Sequence, residues 1–237
     1  MIRISNLNKQ YDKKTVIQNL NAQIEGGRIY GLLGTNGAGK TTLLKMLAGL
    51  LPPTSGQIFI CGEELDFRRN TLYDKVGFVP DHVNLYDYLT GEEYLRFVAE
   101  MFGIKKSEAQ DFMEENMQKT GLKPSGGNLI KTYSHGMKQT LAILAAIMHR
   151  PKVLILDEPL TGMDLINGRV IRQLLTGYAE QGNLVIFSTH LVELAHALCH
   201  EIGILHQGRI DRTVYPRMHT LAELAEIIEE TYVQRTS

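Results

Sequence analysis

The stretch GTNGAGKTT, Gly34 to Thr42, follows the apolar run RIYGLL and opens a helical pattern that reads through Leu50. It fits G-x-x-x-x-G-K-[ST], the pattern of a phosphate-binding loop. Glycines let backbone N–H groups converge on phosphate oxygens with no side chain in the way. The start of the next helix adds positive potential. Lys40 has the reach for β- and γ-phosphates, and the Thr41 hydroxyl can ligate Mg²⁺. The candidate nucleotide contacts are Gly34, Thr35, Asn36, Gly37, Ala38, Gly39, Lys40, Thr41 and Thr42. Strand, glycine-rich turn and helix in this order point to an α/β core with parallel strands.

The remaining pattern fits that core. Ile2 to Leu7 and Val16 to Ile24 read as strands around a turn on YDKK. QIFICG and VGFVP are further short strands. KVLILDEP and NLVIFSTH are continuous apolar runs suited to strands buried on both faces. EIGILHQ and GRIDRTV read as a hairpin, and LAELAEIIEE as a terminal amphipathic helix. Between Thr90 and Leu122 the pattern turns helical and charged. Thr90 starts one helix, with glutamates two and three residues on, and Ser107 reads as the N-cap of the next. The expected fold is therefore α/β: a P-loop NTPase core of mostly parallel sheet flanked by helices, an N-terminal antiparallel β part and an inserted helical subdomain. The expected organisation is one domain over 1–237. Residues 1–81 and 151–215 form the nucleotide-binding core, 82–150 the helical subdomain, and 216–237 a C-terminal helix.

A second chemical element is VLILDEP. A strand delivers Asp157 at its end, where α/β sheets bind ligands. Asp157 can hold Mg²⁺ through water, and Glu158 is free to orient or deprotonate an attacking water. Together these leave several classes open: small-molecule kinases, GTPases, and motor or recombination ATPases.

Composition excludes other classes. Basic residues number 25 against 26 acidic, so no global positive bias argues for nucleic acid. Two cysteines make no disulfide framework and read as reduced thiols. The first residues are too polar for a signal peptide, and no run approaches the length of a membrane span. The expectation is a cytoplasmic protein that reaches a membrane only through a partner.

Three further motifs narrow the choice. YSHGMKQ, from Tyr133, precedes an apolar helical run. LTGMD ends at Asp164, and FSTH ends at His190. Taken with the phosphate loop and the acidic strand end, they resemble the nucleotide-binding subunit of ABC (ATP-binding cassette) transporters. YSHGMKQ is similar to that family's signature motif, LTGMD to its D-loop and FSTH to its switch histidine. Tyr11 matches the aromatic residue that stacks on adenine. The resemblance covers about residues 1 to 215. It implies an Mg²⁺-dependent ATPase in which two subunits, as a homodimer or heterodimer, sandwich two ATP molecules and drive separate transmembrane permease subunits. By this analogy Lys40, Glu158 and His190 are catalytic. Ser134, His135, Gly136 and Asp164 contact the partner's ATP, and Thr41, Asp81 and Asp157 bear on the metal. Ser134 can also be an ordinary N-cap.

The sequence departs from the family pattern twice. Asp81 stands where a glutamine is usual, which adds a charge and removes an amide donor. His135 and Met137 replace the usual glycine and glutamine of the signature. The form YS-x-GM-x-Q resembles the branch serving multidrug and antibiotic exporters, so export is the expected direction. The alternatives are an ABC-type ATPase outside transport, in repair or translation, and a P-loop small-molecule phosphotransferase. Other signals read as structural. His196 and His200 stand four apart on a helical pattern, Met46, Met101, Met113 and Met117 read as core filler, and the charges of the last helix read as solvated. YDYL, from Tyr86, is a candidate coupling segment.

Overall fold

The computed structural model describes residues 1–68, 72–163 and 165–233. The N-terminal runs pair as an antiparallel hairpin, β1 (Ile2–Tyr11) with β2 (Lys14–Ile24). After β3 (Arg28–Leu33) and α1 (Lys40–Leu47), β4 (Ser55–Ile60) and β5 (Glu63–Glu64) complete a sheet of order β2-β1-β4-β5. Next come β6 (Val76–Val79), α2 (Gly91–Met101), α3 (Lys106–Lys119) and α4 (His135–Ile147). Then follow β7 (Val153–Leu156), α5 (Leu165–Glu180), β8 (Leu184–Thr189), α6 (Val192–Leu198), β9 (Glu201–His206), β10 (Arg209–Val214) and α7 (Leu221–Val233). The second sheet runs β10-β9-β3-β8-β7-β6 and is parallel except at β10.

Side-chain alternation along the central strands divides the interior in two. Ile29, Leu33, Leu154, Leu156, Val185, Phe187, Ile202 and Ile204 face one core, shared with α2 to α7. Tyr30, Leu32, Val153, Ile155, Leu184, Ile186 and Leu205 face the other, shared with α1 and the antiparallel sheet. This two-sided burial is why KVLILDEP and NLVIFSTH read as unbroken apolar runs. The helical stretch enters between β6 and β7, which are neighbours in the sheet.

Local chemistry sets the helix ends. Thr90 caps α2 through a reciprocal pair: Glu93 N donates to Thr90 Oγ1 at 3.2 Å, and Thr90 N donates to Glu93 Oε2 at 2.8 Å. Thr90→Ala is expected to cost about 1 kcal/mol. That would lower Tm by about 2–4 °C in a thermal melt. α1 stops at Leu47, short of Leu50, because Gly49 at φ +74 ends it. Leu50 N donates to Lys45 O and Gly49 N to Met46 O, the paired bonds of a left-handed helix stop.

Four expectations need correction. Ser107 is not a cap: α3 starts one residue before it, and Lys105 stands at the N-cap with no side-chain bond. Docking of Ile104 and Ala109 on the core fixes that start instead. Met46, Met113 and Met117 are core residues, but Met101 is 68% exposed. The helical pattern does not extend to His200, since α6 ends at Leu198; His200 Nδ1 accepts from Ile29 N, a structural role as expected. The last segment begins with a 3₁₀ turn at Pro216–Met218 before the helix, and residues 234–237 lie outside the described residues. Burial pushes the Cys199 thiol well above its usual range, which marks it as a packing group.

Candidate functional site

Parallel strands deliver their C-terminal ends to one edge. Leu33 of β3 lies beside Thr189 of β8, and Leu156 of β7 pairs with both Phe187 of β8 and Val79 of β6. The phosphate loop after β3, His190 after β8, Asp157 and Glu158 after β7, and Asp81 after β6 therefore share one rim. That rim is where open α/β sheets bind ligands.

The loop is held by close backbone approach. Ala38 N donates to Thr35 O at 3.2 Å. Gly39, at φ +107, caps α1, and a Cβ there would stand 3.0 Å from Val16 O. A Cβ on Gly34 would lie 2.6 Å from Leu205 O. Thr35, Asn36 and Gly37 are exposed, as is Thr41 in the first turn of α1, while Thr42 is half-buried. Lys40, the first residue of α1, is buried. Its Nζ donates to Gly34 O at 2.8 Å and lies 3.7 Å from Glu158 Oε1.

The two carboxylates are positioned by one hydroxyl. Ser188 Oγ, near the end of β8, donates to Asp157 Oδ1 at 2.6 Å and accepts from Glu158 N at 2.9 Å. Asp157 is only 2% exposed. Glu158 has φ +49, a left-handed conformation uncommon for glutamate, which turns the chain sharply out of the strand. Its side chain meets three groups. Thr161 Oγ1 donates to Oε2 at 3.1 Å, His190 Nδ1 lies 3.2 Å from both oxygens, and Lys40 is the third. Ser188 and Thr161 were absent from the candidates drawn from sequence. Ser188 lies within FSTH and Thr161 within LTGMD, so the motifs held them, but nothing in either marks which hydroxyl turns inward.

Among the described residues, the other candidates make no hydrogen bond or ion pair to this cluster. Tyr11 ends β1 as an exposed ring with Lys9 Nζ 5.1 Å from its centroid. Asp81 is part-exposed at the exit of β6, 3.7 Å from His82 Nε2. Ser134 caps α4, accepting from Met137 N at 3.2 Å. His135 and Gly136 follow in its first turn and abut the turn after the carboxylates. A Cβ on Gly136 would lie 3.7 Å from Met163 Cε, and one on Gly162 would lie 3.8 Å from the His135 ring. Among the described residues, no hydrogen bond or ion pair joins Ser134, His135 or Gly136 to the phosphate loop or to Glu158. Asp164 lies outside the described residues.

The sequence over residues 17–161 matches the family model for ABC transporters. The chain belongs to the ABC transporter family. The bacitracin transport ATP-binding protein BcrA of Enterococcus faecalis is 39% identical over 212 residues, which is 89% of this chain and 68% of that protein. A solved structure of the ATP-binding subunit of an ABC transporter superposes with a TM-score of 0.88 at 27% identity, covering 97% of this chain and 99% of the other. A dimeric ATP-binding cassette, MJ0796, described in a post-hydrolysis state with ADP and Pi, gives a TM-score of 0.83 at 26% identity. It covers 92% of this chain and 99% of its own. This ABC protein is thus an ATP-binding, ATP-hydrolysing subunit, and the small-molecule phosphotransferase alternative is set aside.

Proposed function

We propose that two such subunits close head to tail on two ATP molecules, each ATP lying between the phosphate loop of one chain and the Ser134 end of the other. The observation that carries this is that, among the described residues, the α4 start adjoins the 160–163 turn and makes no hydrogen bond or ion pair to the phosphate loop of its own chain. The dimeric state of the MJ0796 cassette supports it.

In this reading residues 1–81 and 151–215 bind ATP, 82–150 carry the signature, and 216–237 are a C-terminal helix. Tyr11 stacks on adenine. The amides from Gly34 to Thr42 cradle the phosphates, and Lys40 exchanges the Gly34 carbonyl for β- and γ-phosphate oxygens. Ser134, His135, Gly136 and Asp164 of the facing chain complete the γ-phosphate shell. The α4 start presents free N–H groups and its dipole to the anion. Thr41, Asp157 and Asp81 are hard oxygen donors of the kind Mg²⁺ takes, and Asp157 has one oxygen committed to Ser188. The metal supplies neutralisation of phosphate charge when bound. Glu158 orients the attacking water and takes its proton, while His190 holds the γ-phosphate and fixes the Glu158 carboxylate by the contact already present.

The membrane partner is read from a second surface. A groove of about 410 Å³ runs from Pro80 and Val83 past Tyr86 to Phe97 and Met101 on α2. Tyr86, Phe97 and Met101 are exposed, and Tyr86 meets Phe97 edge-on at 5.7 Å. This apolar groove beside Asp81 suits a helix of a separate transmembrane permease subunit. Among the described residues no helix is long and apolar enough to cross a membrane. The protein would work on the cytoplasmic face through that partner. The bacitracin-transport relative favours a role in transport, and the form of the signature favours export.

Co-purification tests this. Co-expressed with its transmembrane permease subunit, the chain should be retained on detergent-solubilised permease, and Tyr86→Asp should lower retention at least tenfold. Equal retention of the variant, or none for the parent, would refute the docking surface.

A further inference from the structure

Gln139 is a buried polar residue that the reading above does not use. It is 2% exposed, and among the described residues neither its amide oxygen nor its amide nitrogen has a hydrogen-bond partner. Buried amides are almost always paired, because an unpaired one forfeits its hydrogen bonds to water. Neighbouring groups on the helix are settled by contrast: Thr140 Oγ1 donates to Gly136 O at 2.8 Å.

Helical spacing shows where Gln139 lies. Gly136, Gln139, Thr140 and Ile143 form one stripe of α4. Gly136 on that stripe abuts Met163 and Asn167. Long side chains on a helix lean back toward its N-terminus, which directs the Gln139 side chain toward the turn that holds Gly136. It therefore sits on the face turned to the 160–163 turn. That turn is lightly held: Met163 N reaches Leu160 O at 3.4 Å, and Thr161 N reaches Glu158 O at 3.2 Å. It begins at Leu160, two residues after Glu158, and its Thr161 hydroxyl bonds the Glu158 carboxylate.

We propose that Gln139 is a positioning residue: its unpaired amide takes main-chain hydrogen bonds from the 160–163 turn when two subunits close on ATP. The inference rests on the two-chain reading. In the open subunit the amide is held without a partner. Closure presses the signature helix against the facing chain and shifts the turn over it. The amide then pairs, and through Thr161 it fixes the Glu158 carboxylate. Closure thereby gains a hydrogen-bonded lock that the open form lacks, and the lock joins the half-site offered to the partner's ATP to the carboxylate acting on the chain's own.

The test uses the full chain and the apolar near-isosteres Gln139→Met and Gln139→Leu, so that one folding failure does not end it. An apolar side chain removes the unpaired amide, so ATP-free Tm should rise, by about 2–4 °C. Binding of ATP to the monomer should be unchanged. kcat should fall about tenfold at unchanged KM, and in a Glu158→Gln background the ATP-driven dimer should need about tenfold more protein to form. Amide hydrogen exchange of residues 160–163 should slow on closure in the parent and not in the variants. Variants that gain stability yet dimerise, turn over and protect the turn as the parent does would overturn the proposal alone. A parent that stays monomeric with ATP would overturn the two-chain reading and this lock with it.

Discussion

Glu158→Gln should leave ATP bound and nearly unhydrolysed. The amide keeps the size of the carboxylate and most of its hydrogen bonding, so the Thr161 contact has a replacement. It cannot take a proton. General-base loss is worth about 10²- to 10⁴-fold, or roughly 3–5 kcal/mol of barrier at 1.36 kcal/mol per decade. The same change removes a negative charge 3.7 Å from Lys40, where the incoming phosphates add several of their own. The closed, ATP-loaded pair should then accumulate. Steady-state phosphate release and size-exclusion chromatography with ATP and Mg²⁺ read both effects. A variant that stays monomeric and turns over normally would show that Glu158 is not the base.

Lys40→Ala and Ser134→Ala should each be inactive alone and regain activity when mixed. Lys40→Ala removes the phosphate clamp, a loss on the order of 10²- to 10³-fold by analogy with deleting one preorganised donor. Ser134→Ala removes a hydroxyl offered to the other chain and a cap worth about 1 kcal/mol. In a mixed pair the intact loop of the Ser134 variant faces the intact α4 start of the Lys40 variant. One site is whole and the other carries both defects. Hydrolysis in the mixture should exceed the mean of the separate variants by at least tenfold. A mixture no more active than its parts would mean that each chain holds a complete site by itself.

Some of this is legible in the sequence alone. The phosphate loop is contiguous, and its glycines are required locally: Gly39 lies at φ +107 against Val16 O. β7 and β8 announce themselves because both faces are buried, which leaves no polar alternation to confuse the pattern. Thr90 was readable as a cap because its partner Glu93 is three residues away. What failed depends on through-space neighbours. Ser188 acts on Asp157 from the adjacent strand, and periodicity cannot say which hydroxyl of FSTH turns toward it. Ser107 is a good capping type, yet docking of Ile104 and Ala109 started α3 earlier. Met101 follows the apolar pattern of α2 but lies on its outer side, beside the groove. Gly49 ended α1 where propensity alone carried it on to Leu50.

The insertion of α2, α3 and α4 between two neighbouring strands also bears on the order in which the chain assembles. β1 and β2 are joined by a two-residue turn, so their pairing forms from local contacts. β6 can find β7 only after the whole helical block has been closed into a loop. Loop closure costs only about 0.6 kcal/mol for each doubling of length, so the final state is barely taxed. The rate is another matter, because that entropy is lost before the β6–β7 contacts form. On loop length alone, the strand that leads to Asp157 and Glu158 would pair with β8 before β6, and the still longer β3–β8 closure, which brings the phosphate loop to the same rim, would follow both.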